Sequence, residues 1–279
     1  MSIQHICRRA GNRQSYYAWF QAMHTRIDLL FVADKSEDDL NRVAARAQQL
    51  IADIESVGNC FGNDSELSRL NRHEIGIPIQ VSDMLYDLLS RCKEYTLSTF
   101  GLFDVTVESA EHDAAAIDSI ILSENNTVTL TRAGVYINMS GILKGYALDR
   151  LRMMLEHEAV ADAFMSLGNS SIMAMGAKSG CDGWPVGEQF GEQCFETSLH
   201  NECLTTSGNI DGVNHHIINP LTNKEIGMNR KASVVTRSAT EGEVLSTAYL
   251  IADDEQRARL DSIFQPRCVV IDGEVHYNL

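Results

Sequence analysis

The sequence predicts an α+β fold built as a single unit spanning residues 1–279, and three observations predict it. Strand and helix periodicities alternate along the chain without the regular spacing of βαβ units. No internal repeat, low-complexity tract or Pro/Ser-rich linker divides it. A chain of 279 residues that is 44% hydrophobic with only 4 Pro is also long and apolar enough to bury a substantial core.

The elements follow in order. Residues 26–33 form a short strand pattern. Ser36, with Asp39 three positions on as in a capping box, then opens a helix whose apolar stripe is Leu40, Val43, Ala44, Ala47, Leu50, Ile51 and Ile54. A second amphipathic helix is predicted over 82–95, capped by Ser82 and facing inward through Leu85, Leu88, Leu89 and Cys92. Residues 135–139 read as a strand, followed by the small pair Ser140-Gly141 and a helix marked by Leu143, Ala147, Leu148, Leu151 and Leu155. The segments 164–167, 172–175, 203–205 and 232–236 suit strands of a central sheet, and 269–277 a terminal hairpin turning at Asp272-Gly273.

Charge and composition bound the function. The formal net charge of −15, from 38 acidic and 23 basic residues, repels a phosphate backbone and argues against nucleic acid as a partner. The same field disfavours any anionic dinucleotide, so such a ligand needs local cations, backbone N–H groups or a divalent metal. Seven cysteines without a CxxC pair fit reduced thiols. No apolar h-region follows Arg8, Arg9 and Arg13, and no run approaches about 18 apolar residues, so a cytoplasmic protein without membrane insertion is expected.

Nucleophile-elbow, P-loop, HExxH and GxGxxG patterns are absent. Four constellations remain. Asn138-Met139-Ser140-Gly141-Ile142-Leu143-Lys144 places a lysine beside a helix N-terminus, a setting that can receive a diphosphate, although a Gly-rich junction with a solvated Lys144 has the same pattern. Thr205-Thr206-Ser207-Gly208-Asn209 is followed by the pair His215-His216, whose side chains point to opposite faces of an extended chain and cannot readily share one zinc ion. Glu243 and Thr247 lie one helical turn apart and can offer oxygens to Mg²⁺. The run Thr240-Glu241-Gly242-Glu243 is equally a capping box in which Glu243 would touch no metal. The polar clusters at 63–71 and 101–106 read by themselves as loops and caps.

Taken in order, these segments resemble the ApbE family of FAD:protein FMN transferases from residue 23 to residue 252. Met23-His24-Thr25 is similar to Met-Gly-Thr, Ser65 to Asn71 to Ser-Glu-Leu-Ser-Arg-Leu-Asn, and Gly101 to Thr106 to Gly-x-Phe-Asp-Pro-Thr. Asn138 to Asp149 resembles Asp-Leu-Gly-Gly-Ile-Ala-Lys-Gly-Tyr-Ala-x-Asp, Thr206 to Asn209 resembles Thr-Ser-Gly-Asp/Asn, His216 to Pro220 resembles His-Ile-Ile-Asp-Pro, and Glu243 to Ala248 resembles Asp-Ala-Leu-Ser-Thr-Ala.

The resemblance implies a mixed or antiparallel central sheet flanked by helices, with a flavin cleft, and FAD as substrate. It puts Mg²⁺, or Ca²⁺, on Glu243, Thr247 and the carbonyl of Gly141. It puts flavin and diphosphate contacts on Met23, Phe61, Leu102, Phe103, Asp104, Asn138, Lys144 and Ile218. His216 and Glu243 are the implied catalytic residues, and a Ser or Thr hydroxyl of an acceptor protein is the implied nucleophile, with AMP leaving. The departures concern charge: Asn138 and Asn219 stand where the family has Asp, Glu243 where it has Asp, and Phe61 where Tyr is usual. The stretch between Val105 and Val135 is also shorter than in typical members. These changes leave an FAD-binding protein without transfer, or a metal-dependent FAD pyrophosphatase, as alternative outcomes.

Overall fold

The computed structural model describes residues 2–209, 217–227 and 229–277. Among them, nine strands form one sheet: β1 (Gln4–Ala10), β2 (Arg13–Ala22), β3 (Thr25–Ala33), β4 (Asp162–Leu167), β5 (Ser171–Met175), β6 (Glu202–Asn209), β7 (Arg230–Thr236), β8 (Cys268–Ile271) and β9 (Glu274–Tyr277). Their order in the sheet is their order in the chain, and every neighbouring pair is antiparallel. The sheet is thus a meander whose connections carry the remaining elements. The strands expected at 26–33, 164–167, 172–175, 203–205 and 232–236 are β3 to β7. The terminal hairpin turns at Asp272 and Gly273, both at positive φ.

The hairpin β1–β2 was not among the expected elements. Tyr16, Ala18 and Phe20 of β2 face the core, but the alternate positions carry Tyr17 and Trp19, so the apolar/polar alternation is blurred on the outward face.

Between β3 and β4 the chain inserts α1 (Glu37–Gly58), α2 (Glu66–Asn71), α3 (Asp83–Ser98) and α4 (Ser140–His157), together with a small sheet of Ile79–Gln80, Ile120–Ser123 and Thr127–Leu130. Ser36, Ser65 and Ser82 cap the first three helices by accepting a backbone N–H three residues on. The stripe Leu40, Val43, Ala47, Ile51 and Ile54 of α1 buries against Tyr16, Phe20, Ile27, Leu29 and Phe31 of the sheet. α5 (Ala239–Ile251) and α6 (Asp254–Phe264) connect β7 to β8, and Leu245, Ala248 and Tyr249 pack with Val234, Val269 and Ile271. The hairpin Trp184–Phe190/Gln193–Leu199 sends Trp184, Phe190 and Phe195 into a separate cluster with Val235 and Val270, sheet residues adjacent to Val234 and Val269 and hence of the opposite face. Helices therefore cover one side of the sheet and a hairpin part of the other.

Residues 135–139 are not a strand. The backbone groups of Tyr136 and Ile137 are taken by side chains instead: Asn71 exchanges two hydrogen bonds with Ile137 (2.8 and 2.9 Å), and the Tyr136 N–H donates to Ser109 Oγ at 3.0 Å. A segment satisfied in this way has no need of a ladder.

α4 and α5 cross at Gly145. A Cβ at that position would lie 2.3 Å from the Ala239 carbonyl oxygen and 2.7 Å from Glu243 Cγ. Gly145→Ala is therefore expected to cost about 1–3 kcal/mol and to spread the two helices, read as a lower melting temperature.

Candidate functional site

The α4/α5 crossing sets the site. α4 is an 18-residue helix whose N-cap, Met139, supplies no capping side chain; Asn138 Oδ1 takes the Ser140 N–H and the Met139 carbonyl the Ile142 N–H, which leaves the Gly141 N–H for a ligand. Its first turn borders a cavity of about 450 Å³. Ser140, Gly141 and Lys144 of α4 line it together with Glu243 and Thr247 of α5. Leu102, Phe103 and Asp104 come from the loop after α3, Asn138 from the irregular segment, and Ile218 from the short hairpin Ile218–Asn219/Lys224–Glu225. Met23 and Phe61 line an adjoining cavity of about 240 Å³, which shares Ser140 and Lys144 with the first. The structure thus gathers every described candidate residue around Lys144. His216 lies outside the described residues.

Met23 and His24 form the two-residue turn of the β2–β3 hairpin, both at positive φ. The Met23 N–H donates to Glu55 Oε2 at 3.0 Å, which fixes the turn on α1. Phe61 is 67% exposed and meets the His24 ring edge-on at 6.5 Å, leaving a broad aromatic face at the mouth of the smaller cavity.

Glu243 is not a helix cap. Ser238 is the N-cap of α5, so Thr240 is the second helical residue and Glu243 the fifth, beyond the reach of the capping-box bond. Its carboxylate accepts from the Ser171 hydroxyl and lies 4.0 Å from Lys144 Nζ, which donates to Ser170 Oγ. With the side chain 5% exposed, burial pushes the Glu243 pKa up, against the opposing pull of Lys144 and Ser171. Thr247 Oγ1 is 3.0 Å from Ser207 Oγ on β6. α5 is held in place by Asp149 of α4, which accepts from the Ala239 and Thr240 N–H groups and from the Ser238 and Thr240 hydroxyls.

Among the described residues, no group of three or more His, Cys, Asp or Glu could hold a metal. Besides Asp104 and Glu108, the cavity is bordered by the buried Glu243 carboxylate, the Thr247 hydroxyl and the Gly141 backbone, and these last three offer hard oxygen donors. That set fits a cation such as Mg²⁺, which takes one or two protein carboxylates and fills its remaining positions with water and substrate phosphates.

The substituted positions have defined partners. Asn138 Oδ1 accepts from the Ser140 N–H (2.9 Å) and from Cys60 Sγ (3.2 Å), while its Nδ2 donates to Glu108 Oε1 at 2.8 Å. Glu108 lines the larger cavity, so a carboxylate lost at position 138 is present one contact away. Asn219 Oδ1 accepts from the Leu221 N–H at 2.9 Å and shapes the Asn-Pro turn, a task that needs no charge.

The ApbE family model matches residues 23–266. The chain belongs to the ApbE family. Among curated relatives, an FAD:protein FMN transferase of Vibrio cholerae is 23% identical over 274 residues, covering 84% of this chain and 80% of its own. One of Treponema pallidum is 25% identical over 259 residues, covering 76% and 71%. The solved flavin transferase ApbE from Vibrio cholerae superposes with a TM-score of 0.81 at 19% identity, over 95% of this chain and 97% of that one, a likeness of fold.

Within this ApbE protein, sequence reasoning missed Glu108, Ser170 and Ser171. The small polar run Gly168-Asn169-Ser170-Ser171 after a strand was a signal for the serines, whereas nothing in the sequence singles out Glu108. The seven cysteines are free, as expected. Among the described residues, no helix is long and apolar enough to cross a membrane.

Proposed function

We propose that this ApbE protein, acting as one catalytic unit, transfers FMN from FAD to a Ser or Thr hydroxyl of an acceptor protein in a Mg²⁺-dependent reaction that releases AMP. The observation that carries the reading is the junction of two cavities at Lys144 and Ser140, with Glu243 and Thr247 lining the larger of the two. A dinucleotide spanning the junction has its diphosphate at the α4 N-terminus and within reach of Lys144, the local cation that a protein of net charge −15 requires.

In the reaction, the acceptor oxygen forms a bond to the FMN-side phosphorus and the bond to the AMP phosphate breaks. Lys144 and the Gly141 N–H at the start of α4 hold the phosphoryl oxygens and favour the charge that builds on them. Glu243, Thr247 and the Gly141 carbonyl would hold the divalent ion, Mg²⁺ or Ca²⁺, which supplies further stabilisation of that charge when bound. Met23 and Phe61 offer apolar and aromatic surface to one ring system, and Leu102, Phe103, Asp104, Asn138 and Ile218 enclose the remainder. The proton of the attacking hydroxyl goes to a general base. The family resemblance gives that role to His216, and an imidazole suits it at neutral pH.

Calorimetry of FAD binding with and without Mg²⁺, together with an AMP assay, tests this reading. The expected result is affinity that rises with Mg²⁺ and AMP release that requires an acceptor. Tight, metal-independent binding without turnover would identify a binding protein instead. Release of AMP and FMN to water without acceptor would identify a pyrophosphatase.

A further inference from the structure

The larger cavity has a wall whose support lies behind it. Asp104 lines the cavity, yet its carboxylate is not free to turn. Oδ1 accepts from the Thr106 N–H at 2.7 Å and from the Thr106 hydroxyl at 2.6 Å, and Oδ2 lies 3.1 Å from His112 Nε2. The Asp104 and His112 side chains are each 2% exposed. The other ring nitrogen of His112 lies 2.8 Å from Asn223 Oδ1. The Asn223 amide is oriented by a second bond, Nδ2 donating to the His112 carbonyl at 3.0 Å, so Oδ1 is the atom facing the ring. Both ring nitrogens thus face oxygen atoms, one on each side of the ring.

Asn223 sits in the turn of the hairpin that supplies Ile218 to the same cavity. His112 is presented by a loop pinned on both sides by Arg132, which donates to the Glu111 carbonyl at 2.6 Å and pairs with Asp113 at 2.7 Å. The ring therefore spans two walls that are about 110 residues apart in sequence, Asp104 on one side and the 218–225 hairpin on the other.

We propose that His112 is a positioning residue that clamps Asp104 and the 218–225 hairpin together, fixing the width and polarity of the cavity that receives FAD. The inference rests on the FAD reading given above. His112 does not line the cavity, so it touches no reacting atom and acts on how FAD is held.

The test compares wild type with H112A, H112Q, N223A and the double variant H112A/N223A, using FAD with Mg²⁺ as the probe and reading affinity by calorimetry, AMP release in transfer and melting temperature. For H112A, the dissociation constant and KM for FAD should rise by about tenfold, with kcat within about threefold of wild type, because two buried contacts of the clamp are lost while no reacting contact changes. H112Q, which can still present an N–H to Asp104, should recover most of the affinity. N223A should weaken binding in the same sense, and the double variant should be little worse than H112A, since both cut one clamp. Should H112A fail to fold, N223A carries the test, as it opens the clamp from an exposed hairpin.

The inference is overturned if H112A binds FAD as tightly as wild type. It is also overturned if H112Q is no better than H112A while the melting temperatures of both fall together. Wild-type protein without affinity for FAD would overturn the transferase reading and this inference with it, whereas wild-type binding undisturbed by H112A overturns this inference alone.

Discussion

Replacing Glu243 with Gln is expected to lower FMN transfer by about 10²- to 10³-fold while leaving the protein at least as stable as wild type. The amide keeps the shape and can still accept from Ser171, but it removes the one carboxylate that α5 offers to the cavity. Burial raises the Glu243 pKa above its ordinary value of 4.5, so the folded protein holds that proton more tightly than the unfolded chain does. Stability is thus lost as the pH climbs from 4.5 through the folded value, and the penalty is complete above it. An amide is neutral throughout. The melting temperature of E243Q relative to wild type should therefore increase as pH rises, and Mg²⁺ should raise the melting temperature of wild type but not of the variant. A variant that stays fully active would show that Glu243 is no metal ligand.

Asp149→Ala is expected to be the most destabilising single change near the site. The carboxylate accepts two backbone N–H groups and two hydroxyls at the N-terminus of α5, where the helix dipole also favours a negative charge. Its removal orphans donors that no other side chain reaches, at about 3 kcal/mol, which corresponds to a fall of roughly 6–12 °C in melting temperature for a domain of this size. Because α5 carries both Glu243 and Thr247, the Mg²⁺ concentration needed for half-maximal activity should rise as well. D149N retains one acceptor oxygen and should fall between wild type and alanine. A thermal melt and a Mg²⁺ titration of the three proteins check both effects, and equal metal dependence in all three would contradict the proposed coupling.

The central strands and long helices were legible because burial on one face leaves a clear period, as in the stripe from Leu40 to Ile54. The hairpin 184–199 was not. Pro185 and Gly187 interrupt its first strand, and only the structure shows that Trp184 and Phe195 turn inward. Residues 135–139 carry a strand pattern but surrender their hydrogen bonds to Asn71 and Ser109, partners far away in sequence. The site was legible as an ordered set of short motifs around one lysine. The ambiguity at Glu243 was local: Thr240 to Glu243 matches a capping box, and only the position of Ser238, with Asp149 beside it, shows where α5 begins. Ser171, Glu108 and His112 act through contacts that span 30 to 111 residues, and spacing along a chain cannot reveal such pairs.

Mass spectrometry of an acceptor protein incubated with this enzyme, FAD and Mg²⁺ tests the central claim most directly. The account predicts an acceptor carrying one covalent FMN on a Ser or Thr, one AMP released for each, and loss of both when Mg²⁺ is chelated. An acceptor that remains unmodified in the presence of bound FAD, or FMN that appears only free in solution, would contradict it.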